Sequence, residues 1–216
     1  MIEETEYAFI KSKTTGGHYA FLAARSGKAF TNPMQHPKMI KLNPDDVVAD
    51  IGAYVGEYSR YASLQGVKAV RSYEATPRTF ELLSKNRMDP MEVHNRAVVG
   101  DDSKEITLYL SKGIGVTNSI AKSGSKAGSI TVPTIRYEDA VKGCTVAKID
   151  VEGAEYGYNI IQPNLRAIIL EFHPLVGEDW KGKANKIMSD LSDAGYTAVA
   201  VPGFANGWDF HGVWSK

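Results

Sequence analysis

Between Val47 and Glu74 the chain reads V-V-A-D-I-G-A-Y-V-G-E-Y-S-R-Y-A-S-L-Q-G-V-K-A-V-R-S-Y-E, and no other stretch constrains the fold as strongly. Val47, Val48, Ala49 and Ile51 form an apolar run broken only by Asp50, the pattern of a buried parallel strand. Gly52 and Gly56 follow, then apolar residues near helical spacing at Tyr58, Tyr61, Ala62 and Leu64. Gly66 suits the left-handed residue that ends a helix. A second apolar run, Val67 to Tyr73, ends at Glu74. Strand, glycine turn, helix and strand, with an acid at the second tip, is a unit that positions a nucleotide. The glycines let backbone approach a ligand, and the acid accepts the ribose hydroxyls. A pyrophosphate would want G-x-G-x-x-G at a helix N-terminus. Here the spacing is D-x-G-x-x-x-G, and Asp50 beside the turn repels phosphate but suits an ammonium group. S-adenosylmethionine carries an amine, a ribose and an adenine and no phosphate, so it is the expected cofactor. A plain glycine-rich turn between strand and helix is the competing reading.

At 216 residues the chain has the length of one α/β domain. Such a chain buries roughly 70% of its unfolded surface, so neither disulfide nor metal is needed to hold it together. Lys plus Arg and Asp plus Glu are 25 each, which disfavours a protein that coats nucleic acid. Cys144 is the only cysteine, excluding intrachain disulfides and cysteine zinc clusters. M-I-E-E-T-E-Y at the start lacks the apolar core of a signal peptide, and no apolar run is long enough to span a bilayer. A cytoplasmic protein without membrane partners is expected.

Before the nucleotide unit, residues 4–24 read as a hairpin, with Tyr7–Ile10 and Tyr19–Leu22 flanking T-T-G-G. Ser26 to Pro44 is irregular and proline-rich, either walling a cofactor site or capping a sheet edge. His18 and His36 have no partner at metal-ligand spacing. After the unit, Thr76 and Pro77 open a helix with Phe80, Leu82 and Leu83 on its apolar face. Residues 91–99 read as the third strand and Ile106–Leu110 as a further one. Ser111 to Ser129 is a glycine, serine and lysine segment without an acid, read either as a lid or as a passive connector. Ile130–Thr134 is extended and Tyr137–Val141 helical. Ala167–Glu171 is another buried strand, Lys183–Ala194 a helix, and Tyr196–Val201 and Trp208–Trp214 are two closing strands.

The second informative stretch is V-A-K-I-D-V-E-G-A-E-Y, residues 146–156. Val146, Ala147 and Ile149 form a buried strand with Asp150 near its C-terminal end. Ligands of open α/β sheets sit beyond those ends, so Asp150, Glu152 and Glu155 crowd the expected site. Carboxylates there are costly unless they bind something, although Glu152 and Glu155 could simply flank the next helix. His173, just past the following strand, is a candidate base because its unperturbed pKa lies near neutrality.

Together, D-I-G-A-Y-V-G-E-Y-S, Y-E-A-T-P-R-T-F-E-L-L-S-K-N, R-A-V-V-G-D and K-I-D-V-E-G-A-E resemble the successive motifs of the FkbM family of methyltransferases, in register from about Val47 to His173. Ala75 departs from the proline usual at that position. The resemblance implies a class I, Rossmann-like α/β fold in one domain, 1–216. Its sheet is seven-stranded and mostly parallel with an antiparallel last strand, and helices cover both faces. Residues 1–45 would be an N-terminal β-hairpin and cap on a core of residues 46–216. It also implies S-adenosylmethionine as donor, S-adenosylhomocysteine as product, and most often O-methylation of a sugar or related hydroxyl.

The expected cofactor contacts are Asp50, Gly52, Tyr54 and Gly56 at the methionine end, Glu74 at the ribose, Arg96 and Ala97 at the adenine, and Asp150. His173 or Asp150 is the expected base, with Glu152, Glu155 and Glu171 orienting the acceptor. No metal is required; an ion at Asp150 and Glu152 would be magnesium or calcium, the usual partners of hard oxygen ligands. Two other classes stay open. A ribose 2′-O-methyltransferase on nucleic acid would use the locally basic loop carrying Lys112, Lys122 and Lys126. A nucleotide binder without methyl transfer is disfavoured by the glycine spacing.

Overall fold

A computed structural model of the chain describes residues 9–11, 19–23, 28–30, 40–111, 126–175, 177–200 and 210–216. The first strands, β1 (Phe9–Lys11), β2 (Tyr19–Ala23) and β3 (Lys28–Phe30), form a small antiparallel sheet, β1 pairing with β2 and β2 with β3. The expected hairpin therefore gains a third strand from a stretch read as irregular. The T-T-G-G turn, His18, His36 and most of the proline-rich approach lie outside the described residues.

The nucleotide unit folds as its periodicity dictates: β4 (Val47–Ile51), α1 (Glu57–Leu64), β5 (Ala69–Tyr73). Gly66, just past α1, has φ 77°, the left-handed value that ends a helix. Thr76 and Pro77 open α2 (Pro77–Lys85), which leads to β6 (Met91–His94). After β7 (Ala97–Val99), β8 (Glu105–Ser111) and β9 (Lys126–Arg136) come α3 (Tyr137–Ala140), β10 (Val146–Ile149), a 3-10 turn at Ala154–Gly157, and β11 (Ala167–Phe172). The chain ends with α4 (Trp180–Asp193), β12 (Thr197–Ala200) and β13 (Phe210–Ser215).

Seven strands form the main sheet in the order β12-β13-β11-β10-β4-β5-β6. The β11, β10, β4, β5 and β6 strands run parallel, and β13 inserts antiparallel between β11 and β12. Strand order reverses between β4 and β10, because β5 lies on one side of β4 and β10 on the other. That reversal opens a crevice at the carboxyl ends, where such sheets bind ligands. Each sheet face carries its own core. Ala49, Ile51, Ala147, Ile149, Ile168 and Leu170 meet α3 and α4 on one face. Val48, Val70, Val146 and Ile169 meet α1 and α2 on the other.

The single strand expected over 91–99 is in fact two. β6 belongs to the main sheet, whereas β7 pairs parallel with β9 in a second sheet of order β7-β9-β8. Asn95 causes the break: its side-chain amide donates to the carbonyls of Glu74 (2.8 Å) and Ala75 (3.1 Å), turning the chain away from β6. Gly100 follows β7 and lies against the 3-10 turn, where a Cβ would stand 1.8 Å from the Gly157 carbonyl oxygen. The expected loop 111–129 is shorter than its composition suggests, since β8 runs to Ser111 and β9 begins at Lys126; residues 112–125 lie outside the described part. Among the described residues no helix is long and apolar enough to cross a membrane.

Asp46 fastens the amino ends of the central strands. Its buried carboxylate accepts from the Asn43 N–H (2.7 Å), the Thr145 hydroxyl (2.7 Å) and Arg166 Nε (2.8 Å). Burial works against the charge, but Arg166, Thr145 and Asn43 outweigh it and hold the carboxyl below its usual range. Such a group stabilises the fold above its unfolded pKa and loses that contribution as pH falls through the lowered native value. Asp46→Asn should therefore cost about 1.5–3 kcal/mol at pH 7 in urea unfolding, and the gap to the parent should close in acid.

Candidate active site

Side chains alternate across a strand, so the residues sharing the α1 face can be read off each strand. They are Val48 then Asp50 on β4, Val70 then Ser72 on β5, Val146 then Lys148 on β10, and Ile169 then Glu171 on β11. Each of these four strands thus turns from apolar to polar on this face as it nears its carboxyl end. Lys148 pairs in register with Asp50, so acid and base lie side by side at the crevice.

The Lys148 ammonium is buried and donates to the Gly52 carbonyl at 2.8 Å, with Asp150 Oδ2 at 3.2 Å and Asp50 Oδ1 at 3.5 Å. Burial alone would strip its proton, but Asp150, Asp50 and Glu171 outweigh that and keep it charged. Asp50 has no exposed surface; it accepts from Ser59 of α1 at 2.5 Å, and Ser59 in turn bonds Ser72 at 2.7 Å. Asp50 thus lies buried beneath the glycine turn, one oxygen on Ser59 and the other 3.5 Å from Lys148. Gly52 has φ 75°, and a Cβ there would stand 1.7 Å from the Asp150 carbonyl oxygen. The close approach of β4 and β10 demands this glycine even without a ligand.

Glu74 caps the turn from the other side. Its buried carboxylate accepts from the backbone N–H groups of Tyr54 (3.0 Å) and Thr76 (2.8 Å). Burial pushes the carboxyl up to about 7, with Thr76 and Tyr54 pulling it down. Tyr54 and Glu152 are the two non-glycine residues with positive φ among the described ones, at 51° and 54°. Backbone held in this region costs of order 1–3 kcal/mol and gathers at functional sites. Here one lies in each of the two motifs flanking the crevice.

Beyond β10, Glu155 clamps backbone. It is fully buried and spends one oxygen on the Gly153 N–H and the other on the His173 N–H, both at 2.8 Å. The same Oε1 lies 3.4 Å from His173 Nδ1. His173 Nε2 faces Asp150 (3.6 Å), Glu171 (3.6 Å) and Glu152 (3.8 Å). Burial would lower the imidazole pKa, yet Glu155, Glu152 and Asp150 push it up to about 10. The surrounding carboxylates therefore move the imidazole away from the near-neutral value of a free one.

The structure thus gathers Gly52, Tyr54, Gly56 and Glu74 on one side of the crevice and Asp150, Glu152, Glu171 and His173 on the other. Arg96 donates to the Thr134 carbonyl at 3.1 Å, and Ala97 is buried in one cluster with Leu108 and Val132. Sequence reasoning missed Lys148, although period-2 alternation in V-A-K-I-D sets it on the Asp50 face. It also missed Glu57, whose carboxyl burial pushes up to about 7, Lys148 opposing and Asp50 reinforcing. A carboxyl with a raised native pKa stabilises fully below its unfolded value and loses that as pH rises through the native one. Glu57→Gln, which cannot ionise, should raise the melting temperature of the ligand-free protein at pH 8 and do so much less at pH 5. A shift equal at both values would refute the assignment.

S-adenosylmethionine fits these residues: a glycine turn with free-standing curvature, an acid at the β5 tip, and no phosphate-binding cation on the turn itself. Comparison with known proteins bears on the same stretch. The methyltransferase FkbM domain profile matches residues 50–198. No curated protein sequence matches. Among solved structures, an rRNA methylase from Streptococcus thermophilus superposes with TM-score 0.53 at 10% identity, covering 83% of this chain and 92% of that one. The tRNA m1G37 methyltransferase of M. jannaschii gives 0.52 at 14% identity, covering 99% of this chain and 57% of the other. At such identities these two share the fold and nothing finer. The profile match over both crevice motifs shows that this chain belongs to the FkbM family of S-adenosylmethionine-dependent methyltransferases.

Proposed function

We propose that the enzyme methylates a hydroxyl oxygen of a sugar or small metabolite, with Gly52, Tyr54 and Gly56 against the methionine end of the cofactor and Glu74 on its ribose. The carrying observation is the composition of the facing wall, where Asp150, Glu152 and Glu171 converge on His173. When bound, S-adenosylmethionine supplies a methyl group activated by its sulfonium. The protein's share is to hold an acceptor oxygen in line, about 3–3.5 Å from that carbon. Carboxylates suit this because they accept hydrogen bonds from neutral hydroxyls. Asp150, whose side chain is a quarter exposed, takes the hydroxyl proton, and Glu152 and Glu171 orient the neighbouring hydroxyls. The same wall repels phosphates, which argues against a nucleic-acid acceptor. Lys148 holds Asp150 from behind and does not reach the crevice.

Two measurements test this. Glu74→Ala should weaken S-adenosylhomocysteine binding by about 1.5–3 kcal/mol, the usual worth of hydrogen bonds to a charged group; calorimetry showing parental affinity would remove Glu74 from the ribose. With carbon-13 methyl-labelled cofactor and a panel of polyols and nucleosides, the product should carry a methoxy carbon. Asp150→Asn should then turn over about 10²–10⁴-fold more slowly, and parental turnover would exclude it as the base.

A further inference from the structure

We infer that Asp150, Glu171 and His173 form a binding site for one divalent transition-metal ion at the acceptor end of the crevice. One ligand atom from each lies within 4.8 Å of the others. His173 is 7% exposed, and its Nε2 points at Asp150 Oδ1 and Glu171 Oε1, each 3.6 Å away. Those separations are too long for hydrogen bonds. They do match the edge of a coordination polyhedron: ligands about 2.0–2.2 Å from one ion stand roughly 3–3.6 Å apart.

The other ring nitrogen gives an independent reason. Metal-ligating histidines characteristically present their second nitrogen to a carboxylate, which fixes the ring and its tautomer. Glu155 Oε1 lies 3.4 Å from Nδ1, and Glu155 is itself immobilised by two backbone N–H groups in the core. Nε2 is thereby left to face the crevice. The two oxygens of Asp150 divide in the same way, Oδ2 toward Lys148 at 3.2 Å and Oδ1 toward His173. Glu152, 3.8 Å from Nε2, borders the site and is not needed as a ligand.

Two carboxylates with one imidazole form a mixed set. Carboxylate and water suit magnesium, calcium and manganese, whereas imidazole suits zinc, iron and nickel. Manganese(II) satisfies both kinds of donor, so the histidine moves the choice away from the magnesium or calcium that carboxylates alone imply. Metal binding stands on this geometry alone; with the ion bound Asp150 is a ligand and no longer the base, and the ion's use, holding an acceptor hydroxyl beside the transferable methyl group, rests on the proposed O-methylation.

Manganese(II) titrated into the purified full chain, followed by loss of the free-ion electron spin resonance signal, should show one ion bound per chain. Glu171→Gln and His173→Gln should each weaken binding by at least about tenfold. Calorimetry with S-adenosylhomocysteine on the same samples reports whether each variant is folded and whether the cofactor reading holds. Variants that bind the cofactor as the parent does but lose manganese support the site. No uptake by a cofactor-binding parent, or uptake that neither substitution changes, overturns it. Manganese bound by a parent that does not bind S-adenosylhomocysteine would support the metal site and remove the proposed function instead.

Discussion

The buried ammonium of Lys148 is the contact on which both halves of the crevice depend. Its strand, β10, stays against β4 just beyond it, where the Asp150 N–H donates to the Ile51 carbonyl at 3.0 Å and Gly52 packs on the Asp150 carbonyl. Lys148 bridges them by donating to the Gly52 carbonyl while standing between Asp50 and Asp150. An unpaired ammonium at such a depth would be prohibitively costly, and the acids beside it would be too. Removing either partner leaves the other as an uncompensated buried charge, so the group stands or falls together. The charge cluster specifies geometry more than it adds stability: it sets where the glycine turn ends and where the Asp150 carboxylate begins.

Much of this architecture is written in residue periodicity. Alternating and continuous apolar runs located β4, β5, β10 and β11, and the glycines located the ends of their turns, because burial on two sheet faces leaves few other residues possible. The seven-stranded, mostly parallel sheet with an antiparallel last strand came from family resemblance, and the sheet is built that way, whereas the order of its strands was not read from the sequence. The division of residues 91–99 was not legible. It depends on Asn95 reaching carbonyls of residues far earlier in the chain, a tertiary event that local pattern does not encode.

The acids of the site divide in a way that composition cannot express. Asp50, Glu155 and Asp150 look alike in the sequence, each near a strand end. Burial separates them: Asp50 and Glu155 have no exposed surface, whereas Asp150 reaches the crevice. A carboxylate in a motif can serve the ligand, or it can serve the backbone that serves the ligand, and only its partners distinguish the two. His173 shows the same dependence, since its chemistry is set by carboxylates from three separate segments rather than by anything intrinsic to an imidazole.

Gly100 carries a different kind of information. With no room for even a methyl group between it and the Gly157 carbonyl, the second sheet and the turn below His173 meet at zero clearance. Such a contact behaves as a mechanical stop. It lets the β8–β9 ribbon lengthen or change sequence at its far end without transmitting a shift to the crevice, because the near end has nowhere to go. The distance between the strand ends, on which methyl transfer depends, is thereby insulated from that ribbon.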